Sequence, residues 1–497
     1  MRLLLTDVTV GDRPGRAVAV ADGRIAWLGD AREAPAADRV LAGEGALLTP
    51  AFVDGHVHAT ATGLALAGLD LHGSSSLAAA VAAARDHAGR TTGIVLGTGW
   101  DETGWPEGRG LTRQDLDAVV GDRPAYLARV DVHSATVSTA LLDRVPSDLP
   151  GFSPDGRLRL DAHHAARSAA YGSVGPDQRR AAQRATLAAA TALGIGSVHE
   201  MAGPEVSSAE DLAALLELAA AEPGPEVVGY WGELAERGGL DLVRELGLAG
   251  AGGDLFCDGA FGSHTAALSV PYTDRPETSG ALRFEANSVV DHVRACTAAG
   301  IQAGFHVIGD AAVRQVLDAV DAVAAELGEA AVRACRHRLE HVELIDDDGI
   351  ERMRRLGMVA SVQSAFDAAW GGAHGMYAER LGLERAAATN PLADLSTAGV
   401  ALALGSDAPV TPLDPWGGVH AAVDHHTPGS GLRPFDAFDA ATHGGRYAAR
   451  AEHPAGPLAV GAPASLALWE TAETLSAVLA GRARPACRLL LGNGEPL

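Results

Sequence analysis

The sequence predicts an α/β protein built on a (β/α)8 barrel, and three observations carry that prediction. From about residue 190 onward, short apolar segments alternate with alanine-rich helical stretches, the pattern of repeated βα units. With one earlier segment, these apolar runs number eight, the count that closes a parallel barrel. Ionisable residues recur at the C-terminal ends of the runs, the face on which such a barrel gathers its polar groups.

The first fifty residues read as short strands and turns: LLLTDVTV, GRAVAVADGRIAWLGD and GALLTPAFVDGH. Two alternating apolar stretches around Ala-Asp-Gly-Arg predict a hairpin. Similar material returns at the other end in GPLAVGAPASLALWE and ACRLLLGNGEPL. Residues 1–50 and 446–497 are therefore expected to complete one small β-sandwich domain outside the barrel, which takes residues 51–445. The expected barrel strands are AFVDGHVH (51–58), GSVHEM (196–201), EVVGYW (226–231), DLFCDGA (254–260), QAGFHVIGD (302–310), RLEHVE (338–343), MVASVQSA (358–365) and ALALGSDAPV (401–410). Residues 60–185 fall after the first of these and contain further strands, GIVLGTGWD and PAYLARVD, so they are expected to form an inserted subdomain over the barrel mouth.

Composition narrows the function classes. A net charge of -24 repels polyanions, and no basic run offsets it, so nucleic acid is excluded as a partner. No apolar run approaches the roughly 20 residues of a membrane span. MRLLLTDVTV lacks a secretory h-region, which points to the cytoplasm. Cys257, Cys296, Cys335 and Cys487 are widely spaced without a C-x-x-C pair, so reduced thiols are expected. All 39 basic residues are arginine. The expected partner is a small-molecule substrate, and a homo-oligomer is left open.

The chemistry lies at the strand ends, where His56, His58, His199, Asp258, His306, His341 and Asp407 fall. His56 and His58 form an H-x-H pair, and on a strand residues i and i+2 face the same side, so both imidazoles can meet one ion. Imidazole nitrogen suits zinc and its first-row neighbours. Asp407 follows the apolar run ALALG, and a carboxylate buried there needs a cation or a donor.

DGHVH, HVIGD, RHRLEH and LGSDAPV, in this order and spacing, resemble the amidohydrolase superfamily and, within it, the family 3, YtcJ-like branch. GWDETGWPEGR (99–109), RVDVHS (129–134), GSVHEMAGP (196–204) and DGAFGSHTAALS (258–269) extend the resemblance across almost the whole chain. It implies a TIM barrel of the metallo-dependent hydrolase type that cleaves amide or related bonds. His56, His58, His306 and His341 match its metal ligands. Asp407 matches the strand-eight aspartate that touches the metal and takes a proton from the attacking water; with His341 it forms the implied catalytic pair.

The departure lies on strand four. Related sequences carry a lysine four residues before the Asp-Gly of this motif, and its carboxylated side chain bridges two metals. Here Asp254 stands in that place, and the absence of lysine rules out such a bridge. Asp254 could bridge two ions itself, Cys257 or Asp258 could contribute, or the site could hold one ion. One divalent metal, zinc, is the favoured reading, with Asp254 a candidate ligand and a second metal left open.

Among substrate contacts, His133 and Asp131, beside Arg129, and the aromatics Trp100, Trp105, Phe366 and Trp370 are candidates, with packing or a solvated loop as the alternative. The leading function is hydrolysis of a non-peptide C–N bond in an amide, formamide or N-acyl compound. Heterocycle deamination is the alternative, weakened because its usual glutamate, three residues after the strand-five histidine, is Gly309 here, followed by Asp310. A barrel that binds a small ligand without catalysis is the third reading.

Overall fold

The computed structural model describes residues 2–129 and 134–497. The expected contacts Asp131 and His133 lie outside the described residues. Two compact units divide the chain: one comprises residues 1–58 and 187–497, the other Ala59–Thr186.

Eight parallel strands run in consecutive order in the first unit: β1 (Phe52–Val57), β2 (Ile195–Ala202), β3 (Glu226–Trp231), β4 (Gly250–Ala251), β5 (Gln302–Val307), β6 (Arg338–His341), β7 (Val359–Val362) and β8 (Ala401–Leu404). β1, β2, β5, β6 and β7 are buried along their whole length, as expected of strands with both faces covered. The ring closes just beyond β8. There the Asp407 N–H donates to the His56 carbonyl at 2.8 Å, and the His58 N–H donates to the Ala408 carbonyl at 3.0 Å. This is a TIM barrel.

The fourth strand differs from its sequence reading, which begins it at Asp254. Regular pairing occurs earlier, at Gly250–Ala251, breaks at Gly252 and Gly253, and resumes as His306 N–H donates to Leu255 O and Cys257 N–H to His306 O, both at 3.0 Å. Gly252 has φ +143°, and a Cβ there would lie 2.2 Å from the Gly304 main chain. Only glycine allows that approach, and the break sets where Asp254 enters the barrel mouth.

Helices pack outside the strands with apolar residues at helical spacing, as in Asp310–Leu327, which buries Val313, Val316, Leu317, Val320 and Val323. Both chain ends contribute to one further mixed sheet, in which Leu47–Pro50 runs antiparallel to Leu466–Trp469 and Arg39–Ala42 branches off Arg2–Val10. Its hairpin between Arg13–Ala21 and Arg24–Asp30 turns at Asp22 and Gly23, with φ +50° and +74°. Positive φ at both central residues is what an Asp-Gly hairpin turn of type I′ requires.

The second unit holds a five-stranded sheet in the order Arg157–Arg159, Ser134–Val137, Ala125–Arg129, Val95–Trp100, Leu69–Asp70. Trp100, read from the sequence as a substrate contact, belongs instead to this unit's own core. It is buried beside Trp105, and its indole N–H donates to the Leu127 carbonyl at 2.9 Å. Trp105 is anchored likewise, donating to Ser74 O at 2.8 Å.

Candidate metal centre

Six of the residues marked by the sequence converge at the C-terminal ends of the barrel strands. Three sets of donors have ligand atoms lying within 4.8 Å of one another: His56, His58 and Asp254; His56, His341 and Asp407; and Asp254, His306 and His341. His56 Nε2 is 3.5 Å from Asp254 Oδ1 and 3.4 Å from Asp407 Oδ1. His58 Nε2 is 3.2 Å from Asp254 Oδ2 and 3.0 Å from Asp407 Oδ1. Asp254 Oδ1 also faces His306 Nδ1 at 3.4 Å and His341 Nε2 at 3.6 Å. Neighbouring donors around a tetrahedral ion with bonds of 2.0–2.1 Å stand about 3.3–3.4 Å apart, so the donors within each set are spaced to share an ion, of which a tetrahedral one takes four of the six.

Each imidazole is oriented by its other nitrogen. His56 Nδ1 donates to Glu340 Oε2 at 3.0 Å, His58 Nδ1 to Met201 O at 3.1 Å, His306 Nε2 to Gly259 O at 3.2 Å, and His341 Nδ1 to Gln363 Oε1 at 2.7 Å. These acceptors fix the tautomer in which the remaining nitrogen presents a lone pair to the centre, the usual arrangement behind metal-binding histidines. Five buried atoms pointing inward, His56 Nε2, Asp254 Oδ1, His306 Nδ1, His341 Nε2 and Asp407 Oδ1, have no hydrogen-bond partner. Orphaned buried polar atoms are costly, and a shared cation satisfies them together. The donor set of imidazoles and carboxylates fits a divalent first-row metal.

Electrostatics agree. Burial opposes a charge on His56, yet Asp254, Asp407 and Glu340 together push its pKa up to about 10. Burial likewise opposes ionisation of Asp254 and Asp407, but the surrounding histidines hold both below the ordinary carboxylate range. A field that draws protons onto imidazole also draws a metal cation.

The backbone is strained where it presents two of these side chains. His341, Val342 and Asp407 have φ of +72°, +51° and +53°. Left-handed backbone at non-glycine residues costs about 1–3 kcal/mol each and persists where the surroundings dictate it. Around Asp407, Asp54 provides the support: its Oδ1 accepts the main-chain N–H groups of Ser406 at 2.9 Å and His56 at 3.2 Å.

Other marked residues stand apart from the donor sets. His199 is buried with Nδ1 3.3 Å from Arg338 Nη1, and burial and that guanidinium hold its pKa well below the usual histidine value. Asp258 accepts main-chain N–H groups of Ala267, Ile308 and Gly309 at 2.9, 3.1 and 2.8 Å, and burial raises its pKa to about 6. It thereby anchors the loop after β4 to the end of β5. Cys257 is buried, and burial raises its thiol well above the ordinary value, so it stays protonated. Phe366 lies against the cluster, its ring stacked on His341 at 5.8 Å and 10°.

Sequence reading missed Arg338 and Glu340. Both are fully buried, with Arg338 Nε 2.5 Å from Glu340 Oε1. The signal was available: two opposite charges two residues apart in an otherwise buried strand must face each other's side.

An amidohydrolase family model matches residues 39–494. The chain belongs to the amidohydrolase family. The Bacillus subtilis protein YtcJ, whose name assigns it to the amidohydrolases, is 28% identical over 407 residues, covering 76% of this chain and 73% of YtcJ. LONG AFTER FAR-RED 3 of Arabidopsis thaliana is 26% identical over 471 residues, 86% of this chain and 78% of that protein. The crystal structure of an uncharacterised metal-dependent hydrolase from Pyrococcus furiosus superposes with a TM-score of 0.80 at 27% identity, covering 96% of this chain and all of that one. This amidohydrolase is thus a hydrolase with a metal-dependent hydrolase fold and candidate His and Asp metal-binding groups. No helix among its described residues is long and apolar enough to cross a membrane.

Proposed function

We propose that this amidohydrolase hydrolyses a non-peptide C–N bond of a small molecule, an amide, formamide or N-acyl amine, using one zinc ion held by His56, His58, His306, His341 and Asp407, with Asp254 as a further ligand. The observation that carries the reading is the set of five inward-facing buried atoms without partners. A divalent ion bound there supplies Lewis acidity towards a carbonyl oxygen and lowers the pKa of water.

The protein's own groups do the rest. Asp407 takes a proton from the attacking water as its oxygen bonds to the carbonyl carbon, and gives that proton to nitrogen as the C–N bond breaks. The main-chain bond from Asp407 to His56 keeps the carboxylate over the histidine pair. His341, held by Gln363 through Nδ1 and backed by Phe366, would present Nε2 to the ion beside the reacting carbonyl. Phe366 offers an apolar wall for the substrate.

One observation favours a second reading, with two ions. Asp254 has Oδ2 beside His58 and Oδ1 beside His56, His306 and His341, so its two oxygens could each serve an ion. Native mass spectrometry counts the ions and separates the readings.

The function is tested by elemental analysis of gently purified protein, followed by assays on N-formyl, N-acyl and carbamate compounds before and after chelation. The proposal expects close to a full equivalent of transition metal and turnover that chelation abolishes. Less than about a tenth of an equivalent would overturn it, since the oriented imidazoles would then serve some other purpose.

A further inference from the structure

Beneath the donor cluster lies a buried ion pair whose geometry is aimed at one histidine. Arg338 and Glu340 are both fully buried on β6. Arg338 Nε donates to Glu340 Oε1 at 2.5 Å and Nη2 to Oε2 at 3.0 Å, while Oε2 also accepts His56 Nδ1–H at 3.0 Å. The other guanidinium bonds run outward to neighbouring strands: to Gly55 O on β1 at 2.8 Å, Ser361 Oγ on β7 at 2.7 Å and His199 Nδ1 on β2 at 3.3 Å. Its face lies over the Tyr230 ring of β3, 4.7 Å from the centroid.

A pair sealed from water in this way is a poor stabiliser, because desolvating both ions cancels much of their attraction and an apolar pair of the same size commonly serves the fold as well. Tautomer selection alone does not need it either. His58 and His306 donate to carbonyls, and His341 donates to a neutral amide. Among the four, His56 alone donates to a carboxylate. A carboxylate behind an imidazole raises the electron density at the opposite nitrogen and makes it a stronger donor.

We infer that Glu340 is a positioning residue for His56, making its Nε2 the strongest imidazole donor of the cluster, and that Arg338 holds Glu340 aligned by tying β6 to β1, β2 and β7. The inference rests on the metal reading of that cluster.

The test compares the full chain with Glu340→Gln and with the double variant Arg338→Met/Glu340→Gln, which removes both charges and leaves no ion stranded. Two quantities are measured: zinc affinity by competition with a chromophoric chelator, and the visible spectrum of the cobalt(II)-loaded protein. Both variants are expected to bind zinc about 10- to 100-fold more weakly, with displaced cobalt bands. The metal-free double variant should keep the wild-type melting temperature within a few degrees. If Glu340→Gln fails to fold, the double variant decides. A folded double variant with wild-type zinc affinity and cobalt spectrum would overturn the inference and leave the metal reading standing. Wild-type protein that takes up no zinc would overturn the metal reading itself, and this inference with it.

Discussion

The main-chain N–H of Asp407 donates to the carbonyl of His56 at 2.8 Å, so the bond that closes the barrel also joins the proposed proton carrier to the first histidine of the H-x-H pair. Their side chains meet at 3.4 Å on the other side of that bond. Because the backbone sets this geometry, the side chain of Asp407 can be changed without moving His56.

Asp407→Asn should therefore fold as the wild type does and fail in proton transfer. The expected loss in kcat is about 10²- to 10⁴-fold, checked by steady-state kinetics beside circular dichroism. Unchanged turnover would remove Asp407 from its proposed role.

Metal removal should cost stability as well as activity. Ions that bind only the folded chain stabilise it by mass action, about 2.7 kcal/mol at a hundredfold excess over Kd. Dipicolinate-treated protein is expected to melt several degrees lower, and zinc titration should restore both the melting temperature and turnover.

Gly252→Ala probes the break in strand four. The added methyl would meet the Gly304 main chain at 2.2 Å on a backbone with φ +143°. Overpacking of this kind costs typically 1–3 kcal/mol or more, and moving the segment displaces Asp254. Urea denaturation should show the loss and chelator competition a weaker zinc affinity; a shift in neither would mean that Asp254 reaches the cluster independently of the break.

Two buried histidines outside the metal cluster should each contribute less to stability in mild acid. His292 Nδ1 accepts the Ala235 N–H at 3.0 Å and His337 Nδ1 the Ala303 N–H at 2.9 Å, so both must be neutral. Burial lowers His292 to about 4, and burial, His292 and Arg450 lower His337 to about 3. These folded values lie below the unfolded value of about 6.5, so below that pH the unfolded chain binds protons that the folded chain refuses. Their contribution is complete above about 6.5 and declines towards pH 4 and 3, by up to about 1.4 kcal/mol per pH unit for each histidine. The difference in stability between metal-free wild type and His292→Gln, taken from urea denaturation between pH 7.5 and 5, should change in the destabilising direction for the wild type as the pH falls.

Much of the barrel was legible because strand length, apolar runs and strand-end polarity are local properties of sequence. The Asp-Gly turn and the placement of His56, His58, His306, His341 and Asp407 at strand ends follow from such signals. The break in β4 was not legible, since it depends on Gly252 meeting Gly304 from another strand. For Trp100 the choice between pocket wall and packing residue likewise depends on another strand, where Leu127 O accepts its indole N–H. Arg338 and Glu340 carried a local signal, opposite charges two apart in an apolar run, but what they serve depends on Gly55, Ser361 and His56 from other strands.

The pairing of the two chain ends has a consequence for biosynthesis. The Trp469 indole donates to Thr49 Oγ1 across 420 residues of sequence, in the sheet where Leu47–Pro50 lies beside Leu466–Trp469. At roughly 5–20 residues per second on the ribosome, the N-terminal strands emerge on the order of 20–80 s before their partner. During that interval the edge of Leu47–Pro50 that later meets Leu466–Trp469 has no partner strand, so this sheet is completed only late in synthesis.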